Sequence, residues 1–336
     1  MESTICHAWN EESVMASFTW LSCRLSLAAI LLVPTVIKAD EPLRKTSHVY
    51  KTVGETKIYA DVYCPDNTKV RPVIVWIHGG ALIVGSRAGV PGQLLDICRR
   101  EGYALVSLDY RLAPEVKLPA IIDDVRDAFR WLRNEGPKLL AIDPDKMIVA
   151  GGSAGGYLTM MTGICVTPRP KALVTYWGYG DVDGEWYTKP SAFYRKQPLV
   201  SKKEAFEAVG GAVFTGTEGE SGRARGRFYL YLRQNGLWTK EVTGFDPDTE
   251  RRKLDPYCPV RNITAEYPHI LMIHGTKDDD VPYELSAAMA KELARHKVPH
   301  ELVTVPEAGH GLAGADKKLI ADANEKAAAF IRKHLK

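Results

Sequence analysis

The chain has 336 residues, of which 45% are hydrophobic and 25% charged, with a formal net charge of +3. Those values describe a globular protein with enough apolar residues for one large core or two small ones. The charge signs are mixed along the chain, with no basic run or basic–aromatic stripe, which argues against a nucleic-acid partner and reads the charges as a solvated surface.

The first forty residues differ from the rest. Arg24 precedes an apolar run from Leu25 to Ile37, interrupted by Ser26, Pro34 and Thr35 and followed by Lys38, Ala39 and Asp40. A basic residue, a short apolar run and a small residue predict a signal peptide over residues 1–39, cleaved after Ala39. The run is short for a membrane span. Glu2, Glu11 and Glu12 are foreign to such a leader, and a start at Met15 would remove them. Export to a periplasm or the medium is the expectation, with a cytoplasmic protein as the alternative.

From residue 47 onward, strand and helix patterns alternate. Residues 47–63 have the alternating character of an antiparallel edge hairpin. Short apolar runs follow at 73–77 (VIVWI), 103–108 (YALVSL), 147–150 (MIVA), 172–177 (ALVTYW) and 270–273 (ILMI), with a further strand at 301–305. Such runs suit strands buried on both faces of a parallel sheet. Helical patterns over 91–101, 119–134, 154–165, 283–296 and 316–335 separate them, which predicts a doubly wound α/β sheet. Residues 179–268 break the alternation with few strand-like runs and many aromatic and charged residues, and are expected to form a cap inserted into the sheet domain. The domain as a whole is expected to span 40–336.

Cysteines stand at 6, 23, 64, 98, 165 and 258, widely spaced and without a CxxC pair, so no zinc site is expected. Cys98 and Cys165 lie in helix-like apolar patterns and read as core thiols. A disulfide among the last four is an option in an exported protein.

Residues 147–156 read MIVAGGSAGG, a strand running into Gly151-Gly152-Ser153-Ala154-Gly155 and then into a helix. This is G-x-S-x-G in the strand–turn–helix context that exposes a nucleophilic serine. The turn strains the serine backbone, and its neighbours must be glycine because a Cβ would clash. The helix that follows aims its N–H groups at the reacting centre. The strand VIVWI ends in His78-Gly79-Gly80-Ala81. Its glycines can turn backbone N–H groups toward an oxyanion, so Gly79, Gly80 and Ala154 are the candidate donors. A serine needs a base. His310, between Gly309 and Gly311 just past the last strand, is best placed to reach the top of the sheet. The acid is expected among Asp278, Asp279 and Asp280. Their adjacency does not fit the ligand spacing of a calcium loop. The residues alone leave the choice among the three open.

Taken together, HGGA (78–81), DYRLAPE (109–115), PAIIDDV (119–125), GGSAGG (151–156), HGTKDDDVP (274–282) and GHG (309–311) resemble the α/β-hydrolase esterases of the hormone-sensitive-lipase type and their bacterial carboxylesterase relatives. The resemblance covers most of residues 47–336. It implies an α/β-hydrolase fold and a pattern G-x-x-D-x-x-V-P over Gly275–Pro282 that assigns the acid to Asp278. It also implies that Asp109, Arg111 and Asp124 brace the loops beneath the site. Ala81 departs from the fourth glycine of the family's HGGG, and the family's cap is usually N-terminal.

The expected chemistry is esterase- or lipase-like acyl transfer to water, with Ser153 as nucleophile, His310 as base and Asp278 as its orienting acid. No cofactor or metal is implied, and the partner is a small-molecule ester. Trp177, Tyr179 and Trp186 are candidates for a substrate wall. An amidase, or a peptidase of the prolyl-oligopeptidase-related type, is the first alternative. A non-catalytic binding protein on the same fold is the second, disfavoured because no triad member is missing.

Overall fold

Eight strands form one sheet in the order β1-β2-β4-β3-β5-β6-β7-β8 in the computed structural model, which describes residues 42–67, 69–217 and 219–336. The expected leader, residues 1–39, lies outside the described residues. β1 (Leu43–Val53) and β2 (Thr56–Pro65) are the edge hairpin, antiparallel to each other, and β2 is antiparallel to β4 (Ala104–Leu108). The remaining pairs are parallel and bring in β3 (Arg71–Ile77), β5 (Ile142–Gly152), β6 (Ala172–Tyr176), β7 (His269–Gly275) and β8 (His300–Val305). Every residue of β4 and β6 is buried, the consequence of helices on both faces.

Those helices are α1 (Gly92–Glu101), α2 (Leu118–Asn134), the short α3 (Gly136–Leu140), α4 (Ala154–Cys165) and, later in the chain, α9 (Tyr283–Arg295) and α10 (Lys317–Leu335). Between β6 and β7 the chain leaves the sheet. It builds α5 (Glu185–Thr188), α6 (Lys202–Glu207), α7 (Gly219–Asn235) and α8 (Trp238–Thr243), joined by 3₁₀ turns. Residues 179–268, expected to form a cap, lie in this stretch. Among the described residues no helix is long and apolar enough to cross a membrane.

The reading of the charges as a solvated surface needs correction. Asp61, Asp109, Asp124, Arg225 and Arg233 are buried. Each has an opposite charge beside it, because an unpaired buried charge is too costly to keep. Asp124 takes two bonds from the Arg111 guanidinium, at 2.8 and 2.7 Å, and one from Lys51 at 2.6 Å. Asp109 pairs with Arg87, and burial pushes its carboxyl up to about 6. Cys98, Cys165 and Cys258 are free thiols, so among the described residues no disulfide joins the last four cysteines to one another.

Candidate active site

β3 lies between β4 and β5, so the chain reverses its direction of winding there, and ligands bind at such a switch point outside the carboxyl ends of the strands. The loop after β3 carries His78-Gly79-Gly80, and the turn after β5 carries Ser153. Ser153 has φ 55° and ψ −121°, a strained backbone for a side chain, on the tight turn into α4. Its N–H donates to the Tyr176 carbonyl at 2.9 Å, which ties the turn to β6. A Cβ on Gly155 would lie 2.0 Å from the Ile77 carbonyl oxygen, so only glycine lets α4 start this close to β3. Gly80 has φ +108°, and its carbonyl accepts the N–H groups of Ile83 and Val84 at 2.9 Å each. Among the described residues no backbone carbonyl takes the N–H of Gly79, Gly80 or Ala154. A Cβ on Gly79 would lie 3.3 Å from the Ser153 Cβ, so the two loops meet at this point.

His78 shapes that loop from beneath. Its ring stacks on Tyr110 with centroids 4.3 Å apart, and Nδ1 donates to the Gly79 carbonyl at 2.7 Å. Burial lowers its imidazole to about 4, so it stays neutral.

The loop after β7 and the loop after β8 meet. His310 Nδ1 donates to Asp278 Oδ2 at 2.9 Å. Asp278 is the buried one of the three aspartates, and its Oδ1 accepts the N–H groups of Asp280 and Val281 at 3.0 and 2.8 Å. Asp279 is exposed. Burial alone would raise the Asp278 carboxyl. Hydrogen bonds from His274, His310 and Val281 outweigh it and hold the group well below the usual carboxylate range. For His310, burial works to lower the imidazole, but the Asp278 hydrogen bond and the charges of Asp278 and Asp280 prevail and raise it above its ordinary value. No hydrogen bond joins Ser153 Oγ to His310 among the described residues; in free enzymes such contacts often close only with substrate bound.

Trp177 lies between the two halves. Its φ of 41° turns the chain back at the end of β6. A Cβ on Gly152 would lie 3.4 Å from its Nε1, and its ring meets that of His310 edge-on at 6.1 Å. Trp177 and Trp186 are partly exposed. Tyr179, expected on a substrate wall, is instead fully buried. It stacks on Tyr157 at 5.0 Å and is met edge-on by Trp186, Tyr187 and Trp238. It packs among these rings, where aromatic side chains bury large area and favour stacked and edge-to-face contacts.

Two neighbours of the site escaped the sequence reading. His274 is buried, with Nε2 donating to the Val281 carbonyl at 2.9 Å and lying 3.3 Å from Asp278 Oδ2. Its position at the end of β7, four residues before Asp278, is the one signal that points to it. Arg233 of α7 reaches Asp280, and nothing local in the sequence marks it.

A strained serine beneath a glycine loop, with a buried carboxylate–histidine pair on the next loops, is the arrangement of serine hydrolases. The fold is that of the α/β hydrolases. Residues 60–175 match the family BD-FAE, and residues 224–336 match the prolyl oligopeptidase family. The chain is a member of the α/β-hydrolase superfamily.

Solved structures share the fold at low identity. A protein of unknown function from Staphylococcus aureus subsp. aureus Mu50 superposes with a TM-score of 0.70 at 23% identity, covering 87% of this chain and 100% of that one. Carboxyl esterase 2 of Tuber melanosporum gives 0.64 at 21%, covering 92% and 90%. The acetyl ester-xyloside bifunctional hydrolase of Caldicellulosiruptor lactoaceticus gives 0.62 at 20%, covering 87% and 97%. Among curated proteins, the non-reducing polyketide synthase adrD of Penicillium rubens is 26% identical over 90% of this chain, and atr1 of Stereocaulon alpinum is 27% identical over 74%. The chain spans only 15% and 11% of the length of these two relatives.

Proposed function

We propose that the chain hydrolyses carboxylic esters through an acyl-enzyme on Ser153. The observation that carries this reading is the 2.9 Å bond from His310 Nδ1 to Asp278 Oδ2, made on the same sheet edge as the strained Ser153 turn. Asp278 holds the imidazole in the tautomer whose Nε2 is free to take a proton. Ser153 attacks the ester carbonyl as His310 takes the hydroxyl proton. Gly79, Gly80 and Ala154 offer N–H groups to the oxyanion, and a missing donor of this kind typically lowers the rate about a hundredfold or more. The imidazolium then protonates the leaving alcohol. Water, deprotonated by the same nitrogen, releases the acid. Trp177 and Trp186 form the exposed aromatic wall for the substrate, with Tyr179 supporting Trp186 from behind.

A fluorophosphonate probe tests the nucleophile and p-nitrophenyl acetate tests the reaction. The folded protein is expected to label at Ser153 and to hydrolyse the ester, with both lost in Ser153→Ala. Folded protein that neither labels nor turns over refutes the reading and favours a binding role. Turnover of aminoacyl-proline or formyl amides above that of esters favours the amide-cleaving reading, which the prolyl oligopeptidase match over residues 224–336 supports. Export is part of the proposal and rests on the apolar run Leu25–Ile37. An N-terminus at Asp40 on protein recovered from outside the cytoplasm is the result expected.

A further inference from the structure

Asp278 is not the only carboxylate on the imidazole. Asp280 Oδ2 lies 3.6 Å from His310 Nε2, while Asp278 Oδ2 holds Nδ1 at 2.9 Å, so the two acids address opposite nitrogens of one ring. A loop side chain placed this way normally swings out to water, yet Asp280 is held from the cap. Its Oδ1 accepts Tyr229 Oη at 2.5 Å and Arg233 Nη1 at 2.6 Å, and its backbone carbonyl accepts Arg233 Nη2 at 3.0 Å. Arg233 is itself immobilised. Its side chain is 2% exposed, and its guanidinium lies 4.8 to 5.6 Å from the ring centroids of Trp186, Tyr187, Tyr194 and Tyr229. With Oδ1 occupied, Oδ2 is the oxygen left to face Nε2.

We propose that Asp280 is a second positioning carboxylate for His310, fixed by Arg233 of the cap, which holds the ring between two acids and favours its protonated form. The proposal rests on the reading of His310 as the base. Asp278, Asp280 and Arg233 together carry one net negative charge, which the imidazolium neutralises. The acid loop presents Asp278 and Asp280, α7 presents Arg233 and Tyr229, and the 3₁₀ turn Tyr194–Lys196 presents Tyr194. Trp177 brings no charge. Lys277 and Glu307 are exposed and lie 4.0 Å from each other. Arg233 opposes the two acids and Asp280 assists Asp278, in agreement with the raised imidazole. Acceptance of the Ser153 proton requires the neutral ring, so Asp280 pushes the onset of activity to higher pH. In return it stabilises the imidazolium that must form as Ser153 attacks.

The test titrates His310 directly by NMR of its ring carbon, in the full chain, beside the pH dependence of kcat/KM for p-nitrophenyl acetate. An opposite charge within about 4–6 Å moves a group by about 1–3 pH units, and Arg233 offsets part of that here. Asp280→Asn keeps an acceptor for Tyr229 and Arg233 and is expected to lower the His310 midpoint by about one unit, with the acid limb of kcat/KM following. Arg233→Gln removes the opposing cation and is expected to raise both. If Arg233→Gln does not fold, Asp280→Asn and Asp280→Glu decide the matter. A merely structural role would lower activity without moving the midpoint. A His310 midpoint unchanged in Asp280→Asn overturns the proposal. A midpoint that shifts while the acid limb stays put supports the Asp280 contact and instead removes His310 as the base.

Discussion

Arg225→Met tests whether the cap is latched to the site by buried charge. Arg225, on α7, is 1% exposed, and its partner Glu115 is 3% exposed. Nη1 and Nη2 each donate to the Glu115 carboxylate at 2.8 Å, Nη2 also to the Ala113 carbonyl at 2.5 Å, and Nε to the Ile83 carbonyl at 2.9 Å. Methionine replaces much of the volume and none of the donors. Glu115 then keeps the Gly210 N–H at 2.8 Å and little else. Removing one partner of a buried pair destabilises by about 3–5 kcal/mol, and the remaining donor places this case near 3 kcal/mol. Glu115→Gln leaves Arg225 its two carbonyls and is expected to cost about 1–2 kcal/mol. The double variant should lose less than the sum by about 1 kcal/mol or more, since the orphaned charge is gone. Urea unfolding followed by circular dichroism measures all three, with the slope checked for constancy. Activity should fall as well, because Ile83 and Ala113 fix the loop that carries Gly79 and Gly80. A loss below about 1 kcal/mol for Arg225→Met, or strict additivity in the double variant, refutes the latch.

Gly155→Ala would place a methyl 2.0 Å from the Ile77 carbonyl oxygen, a backbone contact that cannot yield cheaply. It is expected to abolish probe labelling in whatever protein still folds, and full labelling would refute the packing argument. His78 supplies a pH prediction. Its folded value, lowered by burial from 6.5 to about 4, lies below the unfolded one, so its contribution is complete above pH 6.5 and lost as pH falls through about 4. The gap corresponds to about 3 kcal/mol, and His78→Asn should flatten the acid limb of a melting-temperature profile in that window.

The sheet was legible because its strands are buried on both faces. VIVWI, YALVSL and ALVTYW are short, continuous and β-branched, and they became β3, β4 and β6 within a residue or two. The strained turn at Ser153 was legible because its strain is local: the glycines that permit it lie within two residues. Asp278 was harder. Three adjacent aspartates have one chemistry, and what separates them is the backbone path, which buries Asp278, exposes Asp279 and hands Asp280 to the cap. Tyr179 and the α7 residues Arg225 and Arg233 were not legible at all. A charged or aromatic side chain in a cap helix reads as surface until its partner is known, and the partners here are far away in sequence: Glu115 lies 110 residues from Arg225, and Asp280 lies 47 from Arg233.

Arg225 and Arg233 tie the helices between β6 and β7 to the loops of the candidate site. They are separated by eight residues of one helix, about 12 Å along its axis. Arg225 grips the loops after β3 and β4, and Arg233 grips the loop after β7. Phe228 and Leu232, fully buried between them, keep the helix pressed onto the domain. α7 therefore acts as a strut between the glycine loop and the acid loop, the two sides between which the proposed reaction takes place. Under the proposed mechanism, a substrate that displaces α7 would disturb its contacts to the Ile83 and Ala113 carbonyls and to Asp280 together.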